Sequence, residues 1–322
     1  MQSFFTDRLF RQRRASPHTI ASYRDSFRLV LRFANERLGK PPSNLTLDDL
    51  TVPFIGDFLD SLEAGRKNSA RTRNIRLAAI HSFFRYVALE EPTQALLCQR
   101  ILAIPAKRHQ RRPIEFLHRE EIDALLDATD TSTWIGRRDR TMLLLAAQTG
   151  LRVSELVGLR CEDIVLGTGA HVHCLGKGRK ERCTPLRAET ARMLDTWLRQ
   201  RHGHPEDPLF LSIRGGKLSR DAIERLLSKY AAAAAPACAS LKRKKVSPHV
   251  LRHAAAMDLL QHGVDRSVIA LWLGHESVET TQVYLHADMR LKEQALSRTK
   301  PLDARPGRYR PNDKLLAFLE NL

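Results

Sequence analysis

Long apolar runs are missing from this chain of 322 residues. None approaches the roughly 18 consecutive apolar residues that a membrane-spanning helix requires, and residues 142–147 are halted by Gln148. No membrane span is expected. The helical stretches also lack a strongly apolar face set against a Lys/Arg face, which disfavours a membrane-surface protein. Cysteine is sparse and unpatterned: Cys98, Cys161, Cys174, Cys183 and Cys238 are odd in number and never form C-x-x-C. A disulfide framework or zinc ribbon is thereby disfavoured, and a reducing cytoplasm is the expected compartment. Residues 1–14 carry no apolar signal core before a small-residue cleavage site, which points the same way. Neither the phosphate-binding G-x-x-x-x-G-K-[ST] pattern nor H-E-x-x-H occurs. His171, His173 and Cys174 are the nearest approach to a metal cluster, and they lack a second ligand pair. No metal and no cofactor are expected.

Positive charge is abundant. Lys and Arg number 53 against 36 Asp and Glu, a formal net charge of +17. Residues 1–108 hold 18 basic and 10 acidic residues, a net of +8, so the remaining +9 lies in the rest. An excess spread over the whole chain, rather than collected in one tail, suggests that both halves face one polyanion. The length favours two domains.

The first segment reads as helices. Ser16 caps a run in which Ile20, Tyr23, Phe27, Leu31 and Ala34 recur at helical spacing, up to the break at Gly39-Lys40-Pro41-Pro42. A second helix starts at Thr51-Val52-Pro53 and carries Phe54, Phe58 and Leu62 to Gly65. A third begins near Asn68, with Ile75, Ala79, Phe83 and Val87 on its expected buried side and Arg71, Arg73 and Arg76 elsewhere on its surface. Between Pro105 and Pro113, Lys107, Arg108, Arg111 and Arg112 lie in a stretch without apolar periodicity, read as an extended basic linker. It is either a plain solvated connector or a strap along phosphates.

The second segment mixes elements. Residues 120–127 and 138–148 read as helices, the latter stopped by Gly150. Residues 170–175 and 182–186 read as short strands around the turn Gly176-Lys177-Gly178-Arg179-Lys180. Helices follow at 188–201 and 219–235, then from Ser247-Pro248 to Gly263, from Asp265 to Gly274, and one more capped by Ser277. The expected fold is mainly α with a small β-sheet. Expected boundaries are 1–104 for a helical domain, 105–116 for the linker, 117–300 for an α+β domain and 301–322 for a tail.

Four places gather phosphate-seeking and proton-transferring groups. In Thr149-Gly150-Leu151-Arg152-Val153-Ser154-Glu155-Leu156, a glycine helix stop sets Arg152 at the entrance of a new turn, where a guanidinium can bind phosphate bidentately or pair with Glu155. Glycines flank Lys177 and let its amine project from a hairpin tip. In His249-Val250-Leu251-Arg252-His253, the i, i+3 spacing puts His249 and Arg252 on one helix face. The fourth place, starting at Leu273-Gly274-His275, reaches Tyr284 nine residues after His275.

Together these four motifs resemble the tyrosine recombinases, the phage-integrase family, and especially its compact Xer-like members. The resemblance covers nearly the whole chain. It implies a core-binding, SAM-like helical domain ahead of the catalytic domain. It also implies a pocket of Arg152, Lys177, His249, Arg252 and His275 around the nucleophile Tyr284. Two features depart from the pattern: Ala254 stands where many relatives carry Ser or Thr, and 38 residues follow Tyr284.

The chemistry so implied is site-specific cleavage and rejoining of duplex DNA through a 3′-phosphotyrosyl link. The two arginines hold the phosphate, Lys177 protonates the leaving 5′-oxygen, His249 helps remove the tyrosine proton and His275 hydrogen-bonds the phosphate. Partners implied are double-stranded DNA and a homo- or hetero-tetramer on paired sites. Arg71, Arg73, Arg76, Lys107, Arg108, Arg111, Arg112, Lys242, Arg243, Lys244 and Lys245 are the candidate DNA contacts. A DNA-binding regulator without the chemistry and a type IB topoisomerase acting as a monomer are the competing readings. A C-terminal helix after Asn312, with Leu315, Leu316 and Leu319 on one face, docks either on its own domain or on a neighbouring protomer.

Overall fold

A computed structural model describes residues 1–109, 114–176 and 181–274. Arg111, Arg112, Lys177, His275, Ser277, Tyr284 and the tail, for which expectations were drawn above, lie outside the described residues. The chain divides into two compact units, Met1–Arg112 and Pro113–Leu322.

The first unit is helical: α1 Pro17–Leu38, α2 Val52–Ala64, α3 Ala70–Glu90 and α4 Ala95–Leu102. Three of these begin where a hydroxyl satisfies an otherwise orphaned amide: Ser16 Oγ accepts from Thr19 N (3.2 Å), Thr51 Oγ1 from Phe54 N and Ser69 Oγ from Thr72 N (both 3.3 Å). Their apolar faces meet in a core rich in phenylalanine, with Phe27, Phe58, Phe83 and Phe84 all buried.

Ahead of α1 lies a π-helical segment, Phe4–Gln12, that periodicity did not reveal. Its two buried residues, Phe4 and Leu9, are five apart. The i→i+5 bonding of a π-helix brings that spacing to one face, whereas the 3.6-residue α-helical template misses it. Phe4 inserts against Phe83 and Phe27, with ring centroids 5.3 and 6.2 Å away. Burial of one such ring contributes about 1.5–3 kcal/mol.

Two expectations on α3 are corrected. Ile75 is 48% exposed, because the buried face runs through Leu77, Ile80 and Phe84 beside the expected Ala79, Phe83 and Val87. Arg73 is only 6% exposed. Its guanidinium turns inward to the Pro105 carbonyl (3.5 Å) and lies 3.6 Å from Glu63.

The second unit contains α5 Arg119–Asp127, α6 Trp134–Thr149, α7 Val153–Gly158, α8 Ala188–Arg201, α9 Arg220–Ala234, α10 Pro248–Gln261 and α11 Arg266–Leu273. Its antiparallel sheet runs β1 Ile164–Val165, β2 His171–Leu175 and β3 Glu181–Pro185, in that order. β2 and β3 pair from His171↔Pro185 to Leu175↔Glu181, so the two expected strands do form a hairpin. The core gathers Met142, Leu145, Leu194, Leu209, Leu227 and Leu251 around Trp197, whose indole N–H donates to Leu209 O (3.0 Å). Buried ions accompany it. Arg138 grips Asp139 through two nitrogens (2.8 and 2.6 Å), and Tyr230 donates to the same carboxylate (2.8 Å). Burial outweighs these partners and pushes the Asp139 pKa up.

Candidate active site

α6, α10 and α11 converge, and Gly150 lets the end of α6 approach the other two. Gly150 ends α6 with φ +63°, and a Cβ there would lie 2.6 Å from Leu273 Cδ2 and 3.2 Å from Ala255 Cβ. Only a residue without a side chain permits this approach. Gly274 ends α11 with φ +64°, and a Cβ there would lie 2.9 Å from Arg182 Nη1.

Arg252, on α10 and 5% exposed, uses the convergence. Nη1 donates to Gly150 O (2.6 Å) and Nη2 to Leu273 O (2.7 Å). The last carbonyls of a helix lack intrahelical partners and carry the negative end of its dipole, so a guanidinium is well placed there. Arg152, at the start of α7, donates from Nη2 to Gly274 O (2.8 Å). Two arginines, 100 residues apart in the chain, thus anchor on consecutive carbonyls at the end of α11, and the next residue is His275. Arg152 keeps 26% of its side chain exposed.

Glu155 holds Arg152 in place. Its carboxylate, 3% exposed, accepts from Arg152 N (2.7 Å), Arg152 Nη1 (2.9 Å), Arg182 Nη1 (3.0 Å) and Arg182 Nη2 (2.8 Å). Burial works to raise the Glu155 pKa. The hydrogen bonds from Arg182 and from the Arg152 backbone outweigh it and hold the carboxyl below its ordinary value. Arg152 is therefore partner to Glu155, one of the roles the sequence had left open, and also clamp on the α11 terminus, which the sequence did not suggest.

His249 sits exposed in the first turn of α10, whose Ser247 cap accepts from Val250 N (3.4 Å). One turn on, the His253 ring stacks at 6.5 Å from it. Burial, then the positive neighbours His249 and Arg252, push the His253 pKa down to about 4. His253 is accordingly neutral at pH 7.

Glu155, Arg182 and Gly274 belong to this site, and the sequence reading gave none of them a part in the pocket. The R-x-x-E spacing was a readable sign for Glu155. For Arg182 the sign lay in strand parity, since Arg182 and buried Thr184 share one face of β3. His171 and His173 share a strand face, and His173 lies 3.7 Å from Asp163 and 3.6 Å from Glu181. Among the described residues no group of three or more His, Cys, Asp and Glu is placed to hold a metal.

The candidate DNA contacts divide. Arg71, Arg108, Lys242, Arg243 and Lys245 are exposed. Lys107 is exposed and bonded to Glu63, and its backbone is fixed to Asn74 of α3 in both directions (2.8 and 3.0 Å). Arg76 donates to Ser26 Oγ (3.0 Å), and Arg73 is buried as described. Lys244 is occupied within its own unit by Glu121 Oε2 (2.6 Å) and Phe116 O (2.9 Å). Arg73 and Lys244 therefore serve packing, because each ammonium or guanidinium already neutralises a carboxylate.

A helical unit ahead of an α+β unit, with two arginines drawn to one helix end beside a sequence that supplies His275 and Tyr284, defines the tyrosine-recombinase class. Residues 115–290 match the phage integrase family, and residues 3–91 match the phage integrase N-terminal SAM-like domain. The chain is 54% identical to the integrase/recombinase y4rC of Sinorhizobium fredii, over 100% of its own length and 97% of that protein's. It is 34% identical to the tyrosine recombinase XerD of Vibrio vulnificus, over 90% and 92% of the two chains. The fold matches XerH recombinase bound to palindromic difH substrate (TM-score 0.72, 24% identity, 89% of this chain and 81% of that one). It also matches a lambda integrase dimer bound to a COC′ core site (TM-score 0.62, 19% identity, 95% and 99%). The chain belongs to the phage integrase family. It is a site-specific DNA recombinase that cleaves and rejoins DNA through a tyrosine. Among the described residues no helix is long and apolar enough to cross a membrane.

Proposed function

We propose that Tyr284 is the nucleophile of this recombinase and that Arg152, Lys177, His249, Arg252 and His275 form its pocket. The tyrosine oxygen attacks phosphorus and the bond from phosphorus to the 5′-oxygen breaks. A 3′-phosphotyrosyl ester then stores the bond energy, so no nucleotide cofactor enters. His249 takes the tyrosine proton and Lys177 gives one to the departing 5′-oxygen. Attack by a 5′-hydroxyl from another strand reverses both transfers. Arg152 and Arg252 bind the non-bridging oxygens and offset the charge that builds in the pentacoordinate transition state, with His275 adding a hydrogen bond.

One observation carries this reading: Arg152 and Arg252 reach consecutive carbonyls, Gly274 O and Leu273 O, directly before His275. The substrate we assign is duplex DNA, held by residues 1–104 and 117–300 with the basic segment 105–116 between them. Recombination of two duplexes requires four protomers in pairs. We place the protein in the cytoplasm. Tyr284→Phe tests the reading, because it removes one hydroxyl and keeps the ring. Covalent capture of a nicked suicide substrate should vanish while gel-shift affinity stays within about threefold. Covalent complex formed at the normal rate would remove Tyr284 from the role.

A further inference from the structure

The Glu155 carboxylate has two arginine partners, and only one belongs to the pocket proposed above. The other, Arg182, is 11% exposed in its side chain and presents two nitrogens to the two carboxylate oxygens (3.0 and 2.8 Å). A buried carboxylate with one cation forms a neutral pair. Among the described residues two cations share the carboxylate, so the cluster carries a net +1, and its more exposed member is Arg152, with 26% of its side chain exposed against 11% for Arg182. Arg182 also packs on Gly274, whose carbonyl receives Arg152, and its backbone pairs with Cys174 at the root of the strands that flank Lys177 in the chain. Two segments that carry proposed pocket residues thus meet at the Arg182 guanidinium, and the Arg182 backbone lies in the strand that follows Lys177 in the chain.

We propose that Arg182 is a positioning residue of the recombinase: by neutralising Glu155 and packing on Gly274, it leaves the charge of Arg152 for the scissile phosphate and fixes the arginine's direction. This rests on the assignment of Arg152 to the phosphate. Fork geometry is central, since a guanidinium meets both carboxylate oxygens at once and an ammonium does not. Among the described residues the buried Nε of Arg182 has no hydrogen-bond partner, a cost tolerated where the fork is held by function rather than by packing alone.

The test uses the full chain and single-turnover cleavage of a suicide duplex at saturating protein. Arg182→Met should lower the cleavage rate about 100-fold with DNA affinity within about threefold. Adding Glu155→Gln, which removes the uncompensated carboxylate, should recover at least tenfold of that loss. A substrate with a neutral methylphosphonate at the scissile position should shrink the Arg182→Met defect to under tenfold, because the charge left for the phosphate then matters little. A merely structural arginine would lose rate equally on both substrates and gain nothing from Glu155→Gln, and that result overturns the proposal. If Arg182→Met melts early, Arg182→Lys replaces it. Its charge is kept and its fork lost, so a partial defect with the same substrate dependence is expected, and a normal rate overturns the fork argument. Arg152→Ala separates the two levels: normal cleavage there sinks the phosphate assignment itself, whereas a dead Arg152→Ala beside an active Arg182→Met sinks the positioning role alone.

Discussion

Phe4, Phe27, Phe58 and Phe84 fill the interior of the first unit, whereas the second unit threads ions through an interior made mostly of aliphatic side chains. Of the twelve buried polar or charged residues among those described, ten lie in the second unit: the first contributes Ser26 and Arg73. Burying an ion costs free energy unless it is paired and hydrogen-bonded. A chain accumulates such groups where rings would serve stability better only if the ions have another task. Five of those ten are ions, and two of them, Glu155 and Arg252, set guanidinium groups at helix ends, which is the geometry an anionic transition state needs.

The largest expected effect breaks the chemistry while sparing the first unit. Arg252→Ala should lower single-turnover cleavage by about 10²–10³-fold or more, since it removes a proposed transition-state contact and the clamp on Gly150 O and Leu273 O. A decrease of less than tenfold would move the clamp elsewhere. The converse change strikes the first unit. Phe84→Ala, at 1% exposure, should cost about 3–5 kcal/mol in chemical denaturation and weaken DNA binding. The isolated suicide-cleavage step should suffer only through that binding, which raising protein concentration would reveal.

Gly274→Ala sharpens the contrast within the second unit. The added methyl meets Arg182 and a positive φ, so cleavage should drop at least tenfold while thermal melting shifts by only a few degrees.

The second unit should also respond to pH. His253 titrates near 4 in the fold and near 6.5 when unfolded, so below pH 6.5 the unfolded chain takes up a proton that the folded one refuses. Its contribution to the stability of the second unit should fall between pH 6.5 and about 4, then level off. His253→Gln should flatten the fall in melting temperature between pH 7 and pH 5, and an unchanged slope would deny the burial argument. The smallest effect concerns the linker. Replacing Arg111 and Arg112 by alanine should reduce the slope of log affinity against log salt by about one to two. An unchanged slope would return that stretch to a plain connector.

Much of this molecule was legible in its residues. Ser16 and Asp265 cap helices as expected, and the helices read as starting at Thr51, Ser219 and Ser247 are capped by those residues, because a cap is local chemistry between a side chain and an amide two or three residues away. The helix at Ala188–Arg201 and the β2–β3 hairpin followed from period and turn residues. The Phe4–Gln12 segment and α4 did not, since the first has a π rather than an α period and the second is a short helix held by packing.

For the site, the residue types and their spacings pointed by sequence alone to phosphate chemistry at Arg152, His249 and Arg252, because the motifs are contiguous and family-specific. Which charges are in use was decided only in three dimensions. Arg73 and Lys244 carry the same formal charge as Arg71 and Lys242, yet one pair is turned toward carboxylates and the other toward solvent. Arg182 likewise reads as one more basic residue after a basic turn until β3 brings it to Glu155, 27 positions earlier in the chain. Composition counts charges, and motif spacing places those within one helix or turn. Pairing between distant segments depends on how close Gly150 lets the end of α6 come to α10 and α11 and Gly274 lets the end of α11 come to Arg182, distances set by packing that no local pattern encodes.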